Sequence, residues 1–171
     1  MANPFTDVAQ FNRAAGNAGG RASGAVNWRL LLQAIAHVAE ESREMALASD
    51  NLEQRIALSE SVEESAEAFA GVADAACDLI YVSANVLYAL GFDYERLWRE
   101  VHRTNMSKLP VCPTCYGRGS RLDANLRLLR CEPCRGLGRL EPQRNEQGKI
   151  LKPADWSPPD LVSIIAEEMQ R

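Results

Sequence analysis

Aromatic residues are scarce in this sequence, 6% in all, and no uninterrupted run of eighteen apolar residues occurs. With 46% apolar content carried largely by Ala and Leu, the first scarcity favours helices over strands. The second gives no reason to expect a transmembrane helix. The opening Met1-Ala2-Asn3-Pro4-Phe5-Thr6-Asp7 has neither a basic start nor an apolar core, so it does not read as a secretory signal. A cytoplasmic setting is expected. A strong positive balance is missing too: the net charge is -4, which argues against a general affinity for nucleic acid.

What is present is unevenly spread. Acids crowd Glu40 to Glu67, while Arg and Lys crowd Arg96 to Lys152. The 171 residues suit one domain of ordinary size plus a small module. A helical array this small often needs a partner subunit to cover its apolar faces.

Phe5, Val8 and Phe11 suggest a short helix over residues 4–15, followed by a Gly-rich loop from Gly16 to Gly24. A strong helix is predicted over 27–47. Trp28, Leu31, Ile35, Val38, Ala39 and Met45 share one face of it. Arg29, Gln33, His37, Glu40 and Glu44 fall opposite, with Glu41 at the edge. Asp50, with Glu53 three residues on, reads as the cap of a second helix carrying Leu52, Ile56 and Phe69. Glu60, Glu63, Glu64 and Glu67 read as a solvated face. A third helix over 71–90 gathers Val72, Ala76, Leu79, Ser83, Val86, Leu87 and Leu90 on one side. Asp74, Asp78, Tyr81 and Asn85 line the other, and Gly91 ends the helix. Asp93 caps a fourth helix with Leu97, Trp98 and Val101, ending before Pro110. Ser157-Pro158-Pro159 opens a last helix through Met169. Trp28, Trp98 and the lone Cys77 read as core residues, His37 as a surface one.

Four of the five cysteines form two copies of Cys-x-x-Cys-x-Gly-x-Gly, Cys112 to Gly119 and Cys131 to Gly138. Fifteen residues separate the pairs, a zinc-site spacing. Four thiolates leave no open position on a tetrahedral Zn2+, so the site is expected to be structural. Leu122, Leu126, Leu128 and Leu129 suggest a small hairpin between the pairs. The motif resembles the cysteine-rich module of DnaJ-type chaperones, with two copies instead of four, enough for one zinc; a chaperone role does not carry over.

Glu40, Glu41 and Glu44 stand at i,i+3 and i,i+4 spacing, where like charges destabilise a helix unless a cation or water separates them. Asp74 and Asp78 repeat the arrangement. The pattern fits either a solvated face or, if the two helices pack antiparallel, a site for Mg2+ or Mn2+ with substrate phosphate completing the shell.

Glu40-Glu41-x-x-Glu44, then Asp74-Ala75-Ala76-Cys77-Asp78, then Gly91-Phe92-Asp93 resemble the MazG-like all-α nucleotide pyrophosphohydrolases, relatives of phosphoribosyl-ATP pyrophosphohydrolase and dimeric dUTPase. Glu100-Val101-His102-Arg103-Thr104-Asn105-Met106-Ser107-Lys108, Gly148 to Pro153 and Ser157 to Asp160 are similar to that superfamily too. The resemblance covers residues 5–108 and roughly 147–163. It implies an all-α bundle of four to five helices with a small inserted zinc ribbon, divided as 1–109, 110–141 and 142–171. It also implies hydrolysis of a nucleoside triphosphate to monophosphate and pyrophosphate by a homo-oligomer, a dimer or tetramer. By resemblance Glu41, Glu44, Asp74 and Asp78 are metal ligands, and Glu40 is a ligand or the base that orients water. Arg103, Asn105, Lys108, Lys149 and Lys152 are phosphate-binding candidates, and Asn85 could bond ligand or sugar. One departure stands out: the superfamily has Glu-x-x-Asp where this chain has Ala75 and Asp78, so one carboxylate is shifted to Asp74. MazZ-type phage members act on dGTP; the small size and inserted clip suit such a setting, and no residue in the sequence selects a base. The competing reading is a zinc-ribbon module that grips nucleic acid or protein, since eight residues from Arg118 to Lys149 are Arg or Lys. A further reading has the clip completing a neighbouring subunit's pocket.

Overall fold

Short polar side chains set the helix starts. Asn3 precedes Pro4, whose fixed φ suits a first helical position, and its side chain accepts from the Phe5 N–H to open α1 (Pro4–Ala14). Asn27 accepts from the Leu30 N–H to open α2 (Trp28–Ala57). The computed structural model describes residues 3–19, 26–58 and 61–170; the rest of the expected Gly-rich loop, from Gly20 on, and Glu60 lie outside them. The remaining helices are α3 (Ala66–Leu90), α4 (Tyr94–Met106) and α5 (Leu161–Met169), with a hairpin of β1 (Ser120–Leu122) and β2 (Leu128–Arg130) between α4 and α5. This is an all-α architecture with one small two-stranded sheet.

The chain divides into two units, Met1–Tyr94 and Glu95–Arg171. The division 1–109, 110–141 and 142–171 follows motifs, whereas packing groups nearly all of α4 with the clip and the C-terminal segment.

In the first unit, α2 runs unbroken through Asp50, so Asp50 caps nothing and the separate second helix does not exist. Between Leu47 and Leu52 there is no Gly or Pro to stop a helix, and a single Asp-Asn step is too weak a break. The stop comes after Ala57. Ser61 and Glu64 then form a reciprocal pair, Glu64 Oε2 accepting from the Ser61 N–H at 2.8 Å and Ser61 Oγ from the Glu64 N–H at 3.2 Å. Those bonds, the backbone N–H first, hold the Glu64 carboxyl below the usual range. Glu64, exposed like Glu63 and Glu67, thus also shapes a turn, and α3 begins at Ala66, five residues before the expected start. Gly91 ends α3 in the left-handed region, φ 71°.

α2 and α3 pack antiparallel. Leu30 and Leu31 meet Ala89 at one end, while Leu47 and Ala48 approach Ala68 and Gly71 at the other. The covered line of α2 runs through Leu31, Ala34, Val38, Glu41 and Met45. This corrects the expected face: Trp28 and Ile35 are 67% and 49% exposed, and Glu41 takes a place in the seam. On α3 the buried positions are Ala68, Ala75, Ala84 and Ala89, small residues that let the helices approach closely. Cys77 is exposed, so it is not a core residue. α1 lies against α3, with Phe11 and Tyr81 edge to face at 5.9 Å. Among the described helices α3 alone is long and apolar enough to cross a membrane; it carries Asp74 and Asp78 and packs on both α1 and α2.

In the second unit, Leu97 and Thr104 are buried on α4 while Trp98 is 56% exposed, against the expectation of a core Trp. Ser157-Pro158-Pro159 lies outside the helix; the cap of α5 is Asp160, which accepts from the Ser163 N–H at 3.1 Å. The hairpin is antiparallel, Ser120 opposite Arg130 and Leu122 opposite Leu128, and the four leucines assigned to it are all exposed.

Candidate functional site

Two clusters of donor atoms stand out, one in each unit. The first is acidic. An α-helix brings residues three and four apart to one face, so Glu40, Glu41 and Glu44 share an arc of α2, and Asp74 and Asp78 an arc of α3. Glu40, Glu44, Asp74 and Asp78 are exposed and Glu41 half-buried. Glu41 is the pivot. Its Oε2 is buried without a hydrogen-bond partner. Burial first, then the charges of Glu44, Asp78 and Glu40, push its carboxyl above the usual range, with His37 pulling weakly the other way. The repulsion from Asp78 reaches Glu41 across the helix pair, so the antiparallel packing places Asp78 within electrostatic reach of Glu41.

An unpaired buried carboxylate oxygen among like charges is costly as it stands. A divalent cation removes that cost, and all-oxygen donors suit a hard ion such as Mg2+. Among the described residues, however, only the four cysteines bring three or more donor atoms close enough together to hold an ion. The shifted carboxylate has a structural counterpart. Ala75 is 7% exposed in the covered line of α3, while Asp74, one residue or 100° around the helix, faces out. The seam thus has one carboxylate fewer than the superfamily pattern.

Asn85, on the same line of α3, accepts at Oδ1 from Asn12 Nδ2 at 2.9 Å. Asn12 is 2% exposed and also donates to the Val8 carbonyl. The hydrogen bond ties α1 to α3, a role the sequence reading did not assign. The pair could have been suspected from an Asn at position 12 among the apolar residues of an amphipathic helix.

The second cluster is the clip. Cys112, Cys115, Cys131 and Cys134 are buried, with all four Sγ atoms within 4.8 Å of one another. Cys112–Cys131 and Cys115–Cys134 are 3.8 and 3.7 Å apart, far beyond a disulfide bond. A tetrahedron with Zn–S bonds of about 2.3 Å has S···S edges of about 3.8 Å; the cluster has the dimensions of a zinc clip. The two halves mirror each other. Gly119 and Gly138 donate backbone N–H groups to the Cys115 and Cys134 sulfurs, each at 3.3 Å. Cys112 N–H donates to Gly138 O, and Cys131 N–H to Gly119 O, at 3.0 and 2.9 Å. Gly119 and Gly138 have φ of 74° and 73°, and a Cβ on either would collide with the backbone of the opposite motif. Burial raises both first-position thiols, but amide donors of Cys115 and Thr114 bring Cys112 down to about 7, while Cys131 stays pushed up to about 12.

The basic candidates lie in the second unit, and the structure sorts them. Arg103 donates twice to Glu100, at 2.8 and 2.7 Å, and Glu100 also accepts from the Asp160 N–H at 3.1 Å. These bonds, Arg103 first, hold the Glu100 carboxyl at about 2. Asn105, Lys108 and Lys152 come together around Trp156. Lys108 donates to Asn105 Oδ1 at 2.6 Å, and Lys152 Nζ stands 3.9 Å from the Trp156 ring centre, Lys108 Nζ 5.8 Å. Trp156 Nε1 donates to the Thr104 carbonyl at 3.1 Å. Lys149 stands apart on an exposed turn, its backbone N–H on Asn145. Sequence reasoning missed Trp156; its place between Lys152-Pro153 and Pro158-Pro159 is the signal that could have found it.

Residues 27–105, spanning α2, α3 and most of α4, match the family model of phosphoribosyl-ATP pyrophosphohydrolase. That family lies in the MazG-like superfamily and consists of hydrolases acting on phosphoric anhydrides. No curated protein matches the chain.

Proposed function

We propose, with residues 27–105 as a pyrophosphohydrolase domain of the phosphoribosyl-ATP pyrophosphohydrolase type, that this protein converts a nucleoside triphosphate and water to the monophosphate and pyrophosphate. A single observation carries the reading: the buried, unpaired oxygen of Glu41 held against the charge of Asp78. Glu41, Glu44, Asp74 and Asp78 would hold Mg2+ or Mn2+, which supplies Lewis acidity and lowers the pKa of bound water. Glu40, exposed one residue before Glu41, is free to act as a further ligand or to orient the attacking water. Asn105, Lys108, Lys149 and Lys152 carry N–H donors suited to phosphate oxygens, and Lys108 and Lys152 reach that role already gathered on Trp156. Arg103 would first have to share Glu100.

Two further parts belong to the reading. The clip holds Zn2+ as a structural ion, since four thiolates close its coordination. The protein works as a homo-oligomer: Trp28, Leu32 and Ile35 on α2 and Ile80 on α3 stay exposed in the single chain, and a second copy would cover them.

The test is pyrophosphate release from the eight canonical NTPs and dNTPs with Mg2+ or Mn2+. Losing a group that only orients a metal ligand costs about 10–100-fold, so Glu44→Gln, which removes a ligand from an exposed position, should cost more while leaving the melting curve unchanged. Undiminished turnover in that variant would falsify the ligand assignment.

A further inference from the structure

The clip and the turn before α3 are opposite in charge and alike in the apolar side chains they expose. From Val111 to Arg139 the sequence has six Arg against two acids; from Asp50 to Glu67 it has six acids against one Arg. Beside the second Cys pair lies a groove of about 600 Å³. Met106, Leu109, Leu137 and Leu140 are among its walls, with Arg135 and Arg139. The groove is preformed: Arg139 donates to the Leu109 carbonyl at 3.1 Å, and the Leu140 N–H to the Pro110 carbonyl at 2.9 Å. Leu137 is 76% exposed. Arg135 is exposed, and its side chain makes no hydrogen bond or ion pair among the described residues. On the acidic side Ile56, Leu58, Val62 and Phe69 are exposed, Val62 by 69%. The reciprocal bonds of Ser61 and Glu64 hold that turn in shape. Glu63 and Glu67 are exposed, and their carboxylates have no partner among the described residues.

We propose that the clip groove of one subunit takes the Ser61–Glu64 turn of a second copy of this chain. Val62 and its apolar neighbours sit on the leucines, and Glu63 or Glu67 pairs with Arg135. Apolar anchors rimmed by opposite charges are the pattern of a specific protein contact. Nucleic acid would engage the arginines through its phosphates but leave Leu137, and the exposed Leu122, Leu126 and Leu128 of the hairpin, in water. A purely apolar partner would leave the arginines unmatched. The second copy supplies both halves of what the groove lacks. This contact is separate from the exposed face around Trp28: Ile56 lies twenty-eight residues further along α2, about 42 Å on the helix axis. The inference deepens the homo-oligomer reading by naming a contact surface, and it does not depend on the hydrolase reading.

Sedimentation equilibrium on the full, zinc-loaded chain tests it. One variant is Arg135→Glu; the other joins Glu63→Arg to Glu67→Arg. All three positions are exposed and without partners, so the melting curves should match the native one. Each variant alone sets like charges against each other, and its dissociation constant should rise about tenfold or more. An equimolar mixture of the two should recover the native constant. In it the reversed clip meets the reversed turn, and the native clip meets the native turn; only contact between different chains can be restored by mixing. Leu137→Asp should weaken association by a similar factor. Native constants in both charge variants, or a mixture no tighter than its components, overturn the proposal. Of these, an oligomer of native mass in every variant leaves the Trp28 face as the interface, whereas a monomeric native protein removes that face and the clip contact together. A single-stranded oligonucleotide bound by the native protein and lost in Arg135→Glu, with self-association unchanged, overturns it in favour of nucleic acid.

Discussion

The thiolate cluster and the carboxylate cluster are both built from pairs of residues at short spacing, yet they end in opposite states. The four Cys are buried and complete within one short stretch, their sulfurs all within 4.8 Å of one another. The five carboxylates come from two helices, four of them exposed and one carrying an unpaired buried oxygen. A closed shell leaves an ion nothing to bind but the protein; an open one leaves room for water and substrate. The difference separates a closed donor set from an open one.

Removing the metal from the closed cluster should have the largest effect, because structural zinc in small modules contributes about 10–16 kcal/mol of folding energy. Thiol alkylation read by mass spectrometry checks this. Cys77, exposed, should react at once in the untreated protein, and Cys112, Cys115, Cys131 and Cys134 only after zinc is chelated. Equal labelling of all five before chelation would erase the contrast between the clusters.

For the open cluster the expected effect is smaller and depends on pH. The Glu41 carboxyl is raised in the folded chain. Above the ordinary glutamate value the folded state therefore keeps a proton that the unfolded chain has lost, and stability falls as pH rises through the folded value. A bound divalent ion offsets the charge that appears there. At a hundred times its dissociation constant Mg2+ contributes about 2.7 kcal/mol, a rise in melting temperature of about 5–10 °C for a chain of this size. The rise should be clear at about pH 7.5 and much reduced at about pH 5. An equal rise at both values would mean that the ion binds elsewhere.

The smallest effect should come from a residue outside both clusters. Glu100 is held at about 2 by Arg103 and the Asp160 N–H. Its contribution is present above the ordinary glutamate value and is lost as pH falls towards 2. Glu100→Gln should flatten the acid limb of the stability curve by a modest amount, since the pair is partly exposed, and leave the neutral region almost unchanged. A variant as acid-sensitive as the native chain would show that other carboxylates govern that limb.

How far the residues alone carried the interpretation differs between the two clusters for the same physical reason. The clip is local. Cys-x-x-Cys-x-Gly-x-Gly spells out both the donors and the left-handed turns that aim them, so its geometry needed little beyond the stretch from Cys112 to Gly138. Helix existence was legible from periodicity, as was the stop at Gly91. Boundaries were less so: Asp50 looks like a cap in isolation, but a capping residue caps only where the chain stops being helical, and nothing stops it before Ala57.

The amino-acid order by itself determined the helical class, the two Cys-x-x-Cys pairs and the acidic residues that share each helix face, because these depend on spacings of two to four positions. Only the tertiary structure decided that Glu41 and not Glu40 lies in the seam, that Ala75 is buried while Asp74 is exposed, that Asn85 is tied to Asn12, and that Trp156 gathers two lysines. Each of those outcomes depends on which surface another element covers. Burial and charge repulsion between residues far apart in the chain come into being only when the helices pack.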